Sequence, residues 1–168
     1  EEVNFNFRGV NETTVQNSVF TSNSRVLNQD VATIAYLKGD TFSSNTYAGV
    51  GGAVYNAKTM SIIGTTFSSN TATSYGGAIE NTGTLTIKDS FLSYNKGIHG
   101  GAIRTYGSAN IANTSFIGNT ATAGDYGGGA IANWNNGSLI ITDSTFKSNK
   151  AGYGGGAIYN TAGAMTVI

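Results

Sequence analysis

The stretch Leu139-Ile-Ile-Thr-Asp-Ser-Thr-Phe-Lys-Ser-Asn149, followed by Gly155-Gly-Ala-Ile-Tyr-Asn160, decides the fold. Apolar and polar residues alternate up to a Phe, an Asn closes the segment, and after a loop the chain restarts on Gly-Gly-Ala-Ile. The same phrase lies over most of the chain, starting at Thr13, Ala35, Met60, Leu85, Ala109, Leu139 and Met165. By subtraction the spacings are 22, 25, 25, 24, 30 and 26 residues. Self-similarity at such a period is the signature of a solenoid.

Aligning the copies gives columns with separate physical meanings. The third positions are Val15, Leu37, Ile62, Ile87, Ile111, Ile141 and Val167, which suit a strand interior. Two residues on stand Asn17, Gly39, Gly64, Asp89, Asn113 and Asp143, the types that accept left-handed backbone where a chain bends. A Phe column follows: Phe20, Phe42, Phe67, Leu92, Phe116 and Phe146. Leu92 departs from it with Phe91 alongside, so local repacking is expected there. Three residues after each comes Asn23, Asn45, Asn70, Asn95, Asn119 or Asn149.

The second half of the phrase occurs at Gly51–Val54, Gly76–Ile79, Gly100–Ile103, Gly128–Ile131 and Gly155–Ile158. The residue after it varies freely (Tyr55, Glu80, Arg104, Ala132, Tyr159), which reads as solvent-facing and places the Ile or Val inward. Next come Asn56, Asn81, Thr105, Asn133 and Asn160, and the fixed Ala is read as a tight corner. The early part of the repeat lacks Gly-Gly-Ala, with Asn28 to Thr33 in its place. Val3, Phe5 and Phe7 alternate with polar residues, so residues 1–12 read as an N-terminal strand or cap. Residues 13–168 form the repeat domain, expected to continue beyond 168.

One coil of about 25 residues cannot bury its apolar side alone, whereas stacked coils share a core. In-register stacking at about 4.8 Å turns the Phe column into a ring stack and the Asn columns into amide ladders. No segment carries a sustained helical period, and the chain has no Pro to interrupt a ladder. The predicted fold is all-β, a right-handed parallel β-helix of about six to seven coils, the hand following the rule for parallel crossovers.

Composition narrows function. Lys+Arg and Asp+Glu are 9 each, so no basic footprint for nucleic acid exists. Charged residues are 11% of the 168, below the roughly 25% of ordinary domains. There is no Cys for disulfide or thiolate chemistry, and no apolar run long enough to span a bilayer, so any membrane attachment is expected through regions outside this chain.

The motifs Phe20-Thr-Ser-Asn23, Phe42-Ser-Ser-Asn45, Phe67-Ser-Ser-Asn70, Phe116-Ile-Gly-Asn119 and Phe146-Lys-Ser-Asn149, with the five Gly-Gly-Ala copies between them, resemble the repeats of the chlamydial polymorphic membrane proteins. They are also similar to β-helix repeat proteins of bacterial and archaeal surfaces. The resemblance spans about Thr13 to Ile168 and implies export, surface display and adhesion.

Polysaccharide-cleaving enzymes such as pectin lyases also use parallel β-helices, and they need clustered carboxylates. Asp89 and Asp143 share a column two coils apart, with Asn113 between them. They read as turn residues, interchangeable with Asn and Gly. Glu80 and Arg104, in adjacent coils, read as a cross-strand ion pair worth about 0.2–1 kcal/mol. His99, the one histidine, reads as a solvated turn residue. A Thr-x-Thr array at Thr71/Thr73 and Thr120/Thr122 is broken in the other coils. No catalytic group, cofactor or metal is therefore predicted.

Partner contact falls instead to the exposed aromatics and the longest coil: Tyr55, Asp125, Tyr126, Trp134, Asn135 and Tyr159, with Tyr47, Tyr75 and Tyr153 as further candidates. The leading expectation is a non-enzymatic, extracellular or cell-surface adhesin or display stalk meeting a host or neighbouring-cell protein or glycan. The alternatives are a subunit that stacks end to end on its own copies into a filament or sheath, because an open coil end is a strand edge, and a polysaccharide-acting enzyme.

Overall fold

A computed structural model describes residues 5–6, 11–29, 34–122 and 126–168. Every register that the phrase starts predict is present. Thr13 pairs with Ala35, Ala35 with Met60, Met60 with Leu85, Leu85 with Ala109, Ala109 with Leu139 and Leu139 with Met165, all in parallel. The molecule is a parallel β-helix.

The five coils that start at Ala35, Met60, Leu85, Ala109 and Leu139 each contribute to four faces, and Gly127–Gly128 with Gly154–Gly155 adds a 2-stranded sheet. The first holds the phrase starts, from Glu12–Gln16 and Ile34–Lys38 up to Met165–Val167, in a 7-stranded sheet. The second, 6-stranded, carries the Phe column from Val19–Thr21 to Thr145–Lys147. The third, 5-stranded, consists of two-residue strands from Thr46–Tyr47 to Lys150–Ala151. The fourth, 7-stranded, runs from Phe5–Asn6 through Leu27–Gln29, Val54–Asn56, Ile79–Asn81, Ile103–Thr105 and Ile131–Asn133 to Ile158–Asn160.

Alternation along these strands sends one set of side chains into a single core. Leu37, Ile62, Ile87 and Ile111 meet Phe42, Phe67, Phe116, Val54, Ile79, Ile103 and Ile131 there, all fully buried. The Phe rings stack face to face: Phe20–Phe42 and Phe42–Phe67 at 4.9 Å, Phe116–Phe146 at 4.8 Å. Each such pair adds about 0.5–1.5 kcal/mol beyond its buried area. Phe5 closes the stack edge-on against Phe20, at 5.6 Å and 83°. Leu92 continues the column fully buried, while Phe91 points outward and is 38% exposed. The expected repacking is therefore absent, because strand alternation forbids Phe91 from sharing the face of Leu92.

In the middle of the Asn ladder, at Asn70, Asn95 and Asn119, the side-chain amide makes four bonds. Asn70 Nδ2 donates to Asn95 Oδ1 at 3.0 Å and to Phe42 O at 2.9 Å. Asn70 Oδ1 accepts from Asn45 Nδ2 at 2.9 Å and from Asn45 N at 3.0 Å. The same pattern repeats through Asn95, Asn119 and Asn149. The residue before each Asn is left-handed (Ser22, Ser44, Ser69, Tyr94, Gly118, Ser148), a second bend beside the predicted one, whose own residues from Asn17 to Asp143 are all left-handed too. A second amide ladder runs Asn56–Asn81–Thr105, with Asn133–Asn160 above it.

A hydroxyl column escaped the sequence reading. Thr65, Ser90, Thr114 and Ser144 each cap the carbonyl two residues back. Several of these oxygens also accept an N–H from the coil before, as Ser90 Oγ does from Thr65 N. Asp40 occupies this column with a carboxylate that accepts from Ser18 N and Lys38 N, both at 2.9 Å. Burial pushes its carboxyl above the ordinary 3.8, against the pull of those two N–H groups.

Gly-Gly-Ala is explained by contact between coils. A Cβ on Gly77 would lie 2.0 Å from Gly101 O, and one on Gly101 would lie 2.1 Å from Gly129 O. The Ala side chain is fully buried in the core at residues 53, 78, 102 and 130. Its carbonyl accepts two N–H groups of the preceding coil, as Ala102 O does from Ala78 N and Ile79 N. The close coil-to-coil approach thus falls on the glycine, and the Ala packs into the core. Where Gly-Gly-Ala is missing, Leu27–Gln29 pairs with Val54–Asn56, so its place falls on Ser24 to Val26 and not on Asn28 to Thr33. An extended stretch with Val26 and Leu27 buried fills the corner instead. Residues 30–33 of that expectation, and Val3 and Phe7, lie outside the described residues.

Asn95→Ala removes four buried amide bonds and strands the amide of Asn70, so it should destabilise the protein by about 3 kcal/mol. Asn110→Ala, on the outward face, should stay within about 0.5 kcal/mol. Urea unfolding followed by circular dichroism compares the two. For Asp40, a raised folded pKa means that the folded state holds more protons between the ordinary value and the raised one. Stability therefore falls as pH rises through the window above 3.8. Asp40→Ser, which restores the hydroxyl of the column, should remove that part of the slope and raise the urea midpoint at pH 7.

Candidate binding flank

The outward column of the fourth face is where the sequence reading and the structure part. Its free variation predicts solvent exposure, yet Glu80 is 1% exposed, Arg104 7% and Ala132 0%. Segments returning from the third face lay Tyr75 and His99 over it, joined to each other as parallel bridge partners. Variation here follows from pairing between neighbours in the column and their cover.

The middle of the flank is a buried ion pair. Arg104 Nε donates to Glu80 Oε1 and Oε2 at 2.9 and 3.0 Å, and Arg104 Nη2 donates to Oε1 at 2.5 Å. Its guanidinium lies 3.6 Å from the Tyr75 ring centre and 4.5 Å from that of Tyr106, with Nη1 donating to Tyr106 Oη at 3.3 Å. The predicted pair is therefore real but desolvated. Burial pushes the Glu80 carboxyl up, while the Arg104 hydrogen bonds and charge pull it back. Toward the N-terminal end, Arg25 sits 4.3 Å over Tyr47 and 5.5 Å over Tyr55.

Toward the C-terminal end the rings meet one another. His99 stacks on Tyr75 at 5.1 Å and lies 5.2 Å from Trp134. It is half-buried, with Nδ1 3.2 Å from Tyr126 O, so it is not the solvated turn residue predicted. Tyr126, Trp134 and Tyr159 form a triangle with separations of 6.4, 6.5 and 5.9 Å. Tyr126 is 51% exposed, and Trp134 Nε1 is buried without a hydrogen-bond partner. Trp134 is held by the turn that follows it. Asn135 and Asn136 are both left-handed, and Gly137 N donates to Trp134 O at 3.1 Å, the type I′ arrangement.

The structure thus gathers three predicted contact residues, Tyr126, Trp134 and Tyr159, into one cluster. It places Tyr55 with Arg25 further along and leaves Asn135 exposed on the turn, its N–H 3.3 Å from Thr161 Oγ1. Asp125 lies outside the described residues. The sequence reading missed Arg25 and Tyr106. Tyr106 and Trp134 each stand two residues after a member of the outward column, so strand alternation puts them on that face.

The carboxylates stay apart. Asp89 and Asp143 flank Asn113 along one bend column, and Asn113 Nδ2 donates to Asp89 Oδ1 at 2.6 Å. Among the described residues no three His, Cys, Asp or Glu side chains are grouped to hold a metal, and no helix is long and apolar enough to cross a membrane. The flank combines aromatic rings with two guanidinium groups, and that of Arg104 is buried.

These features define a parallel β-helix repeat protein with an aromatic flank. Residues 64–82 and 143–161 match the family model of the Chlamydia polymorphic membrane protein repeat, so two segments of the β-helix are similar to that repeat. Each matched segment opens on a left-handed bend residue, Gly64 or Asp143, and runs through Phe-x-x-Asn to Gly-Gly-Ala-Ile. No curated protein and no solved structure matches the chain significantly.

Glu80→Gln leaves the Arg104 charge buried under Tyr75 without its counter-ion and should destabilise by about 3–5 kcal/mol. The double variant Glu80→Met/Arg104→Met should recover most of that loss in the same urea assay, because both buried charges go together.

Proposed function

We propose that this chain is a non-enzymatic β-helix segment displayed on a cell surface, acting as an adhesin or display stalk. The observation that carries the reading is the polymorphic membrane protein repeat, matched twice along one continuous solenoid. The physical design supports it. Ladders of hydrogen bonds make a stiff rod, and low charge leaves contact to neutral and aromatic groups. The flank from Arg25 to Tyr159 collects the rings that interface anchors require. The partner in this reading is a surface protein or glycan of a host or neighbouring cell.

Beads coated with the purified chain should be retained on cultured cells well above albumin-coated beads. Tyr126→Ser/Tyr159→Ser should lower retention by about half or more with an unchanged circular dichroism spectrum. Retention of the wild-type chain no better than albumin would sink the reading.

A further inference from the structure

We propose that the ring cluster around Ala132 is a docking site for a guanidinium group, supplied by an arginine side chain on a partner protein. This rests on the surface-binding reading and names the chemistry that it recognises.

The argument comes from the repeat itself. Two of the three ring clusters on the flank already hold a guanidinium of this chain: Arg25 on Tyr47 and Tyr55, Arg104 on Tyr75 and Tyr106. One coil beyond Arg104 the same column holds Ala132, in register with it. Tyr75 and Tyr106 are replaced there by their counterparts. His99 is the bridge partner of Tyr75, and Trp134 stands two residues after Ala132 as Tyr106 does after Arg104. The next coil adds Tyr159, in register with Ala132, and the longest coil adds Tyr126. The rings are therefore assembled and enlarged while the chain's own cation is deleted from the column.

The geometry fits a cation from outside. Centroid separations of 5.9, 6.4 and 6.5 Å place a point equidistant from Tyr126, Trp134 and Tyr159 about 3.6 Å from each in their common plane. A guanidinium resting above that point lies within roughly 6 Å of each ring centre, the reach of a cation over a ring face. Tyr126, half exposed, gives access. The neighbouring Arg104 does not repel the guest strongly, because Glu80 holds it in a bidentate pair. Guanidinium suits the site better than ammonium, being planar, weakly hydrated and able to stack on Trp and Tyr. Neutral sugars also stack on rings, but guanidinium is what this flank holds twice.

Trp134 is the sole tryptophan, so the intrinsic fluorescence of the full chain reports on the site. Titration at low salt with a blocked tri-arginine peptide should give a saturable change, and the neutral citrulline counterpart should give none. Tyr126→Leu and Tyr159→Leu should each weaken the arginine response about threefold or more, with circular dichroism unchanged. No saturable change up to about 10 mM peptide, or an equal change with citrulline, overturns the proposal. A response confined to a neutral oligosaccharide such as chitotriose also overturns it, in favour of a sugar site. The coated beads separate the two readings. Beads that fail to adhere while the peptide binds defeat the adhesin and leave the docking site. Adhering beads with an unresponsive Trp134 do the reverse.

Discussion

The buried amide ladder is the constraint on which the other features depend. A fully buried Asn is costly unless all its bonds are made, and here they are made only if successive coils stand in one register. Asn70 reaches Asn95 and Phe42 O together, and its oxygen receives two N–H groups from Asn45. Slipping one coil by a residue would break these bonds and turn the Phe column outward in the same step. Ring stack and amide ladder thus enforce each other: dispersion favours Phe over Phe, and the amides forbid the alternatives. The low charge of the chain follows, since a lattice of neutral groups stacked at strand spacing places like on like, where repeated charges would repel.

Register held this firmly allows the loops to vary. Spacing between phrase starts runs from 22 to 30 residues, yet Ala109 pairs with Leu139 as directly as Leu85 pairs with Ala109. In the longest coil the turn through Asn135 and Asn136 leaves the ladder and holds Trp134, whose ring meets those of Tyr126 and Tyr159.

Most of the fold was legible because it is written in periodic types: β-branched residues inward, Phe, Asn, left-handed bends, Gly-Gly-Ala. The hydroxyl column was missed because Ser and Thr are common everywhere in this chain, so Thr65, Ser90 and Thr114 do not stand out. The displaced corner at Ser24 to Val26 was missed because it keeps the backbone path while losing every marker residue. The outward column was misread for a deeper reason. Free variation was equated with exposure; the Glu80–Arg104 pair is legible in the column, but its cover comes from Tyr75 in another segment. The column of types does not display that cover. Tyr126, Trp134 and Tyr159 were individually visible as candidates, and their convergence needed the path of the returning loops.

The covered column also shows how two sets of side chains divide one strand. Side chains of the fourth face alternate: Ile79, Asn81, Ile103 and Thr105 point into core and ladder, while Glu80, Arg104, Ala132 and Tyr159 point under the loops. A change in the inward set breaks ladder bonds to the coils on either side. A change in the outward set acts on its column neighbours and on the rings that cover them. Tyr55 under Arg25, Glu80 with Arg104, and Ala132 beside Trp134 are three solutions on one scaffold. Because each coil faces the same direction, such solutions line up along a single flank about 4.8 Å apart. A rod built in this way carries a sequence of local chemistries on one register, each fitted to its own cover.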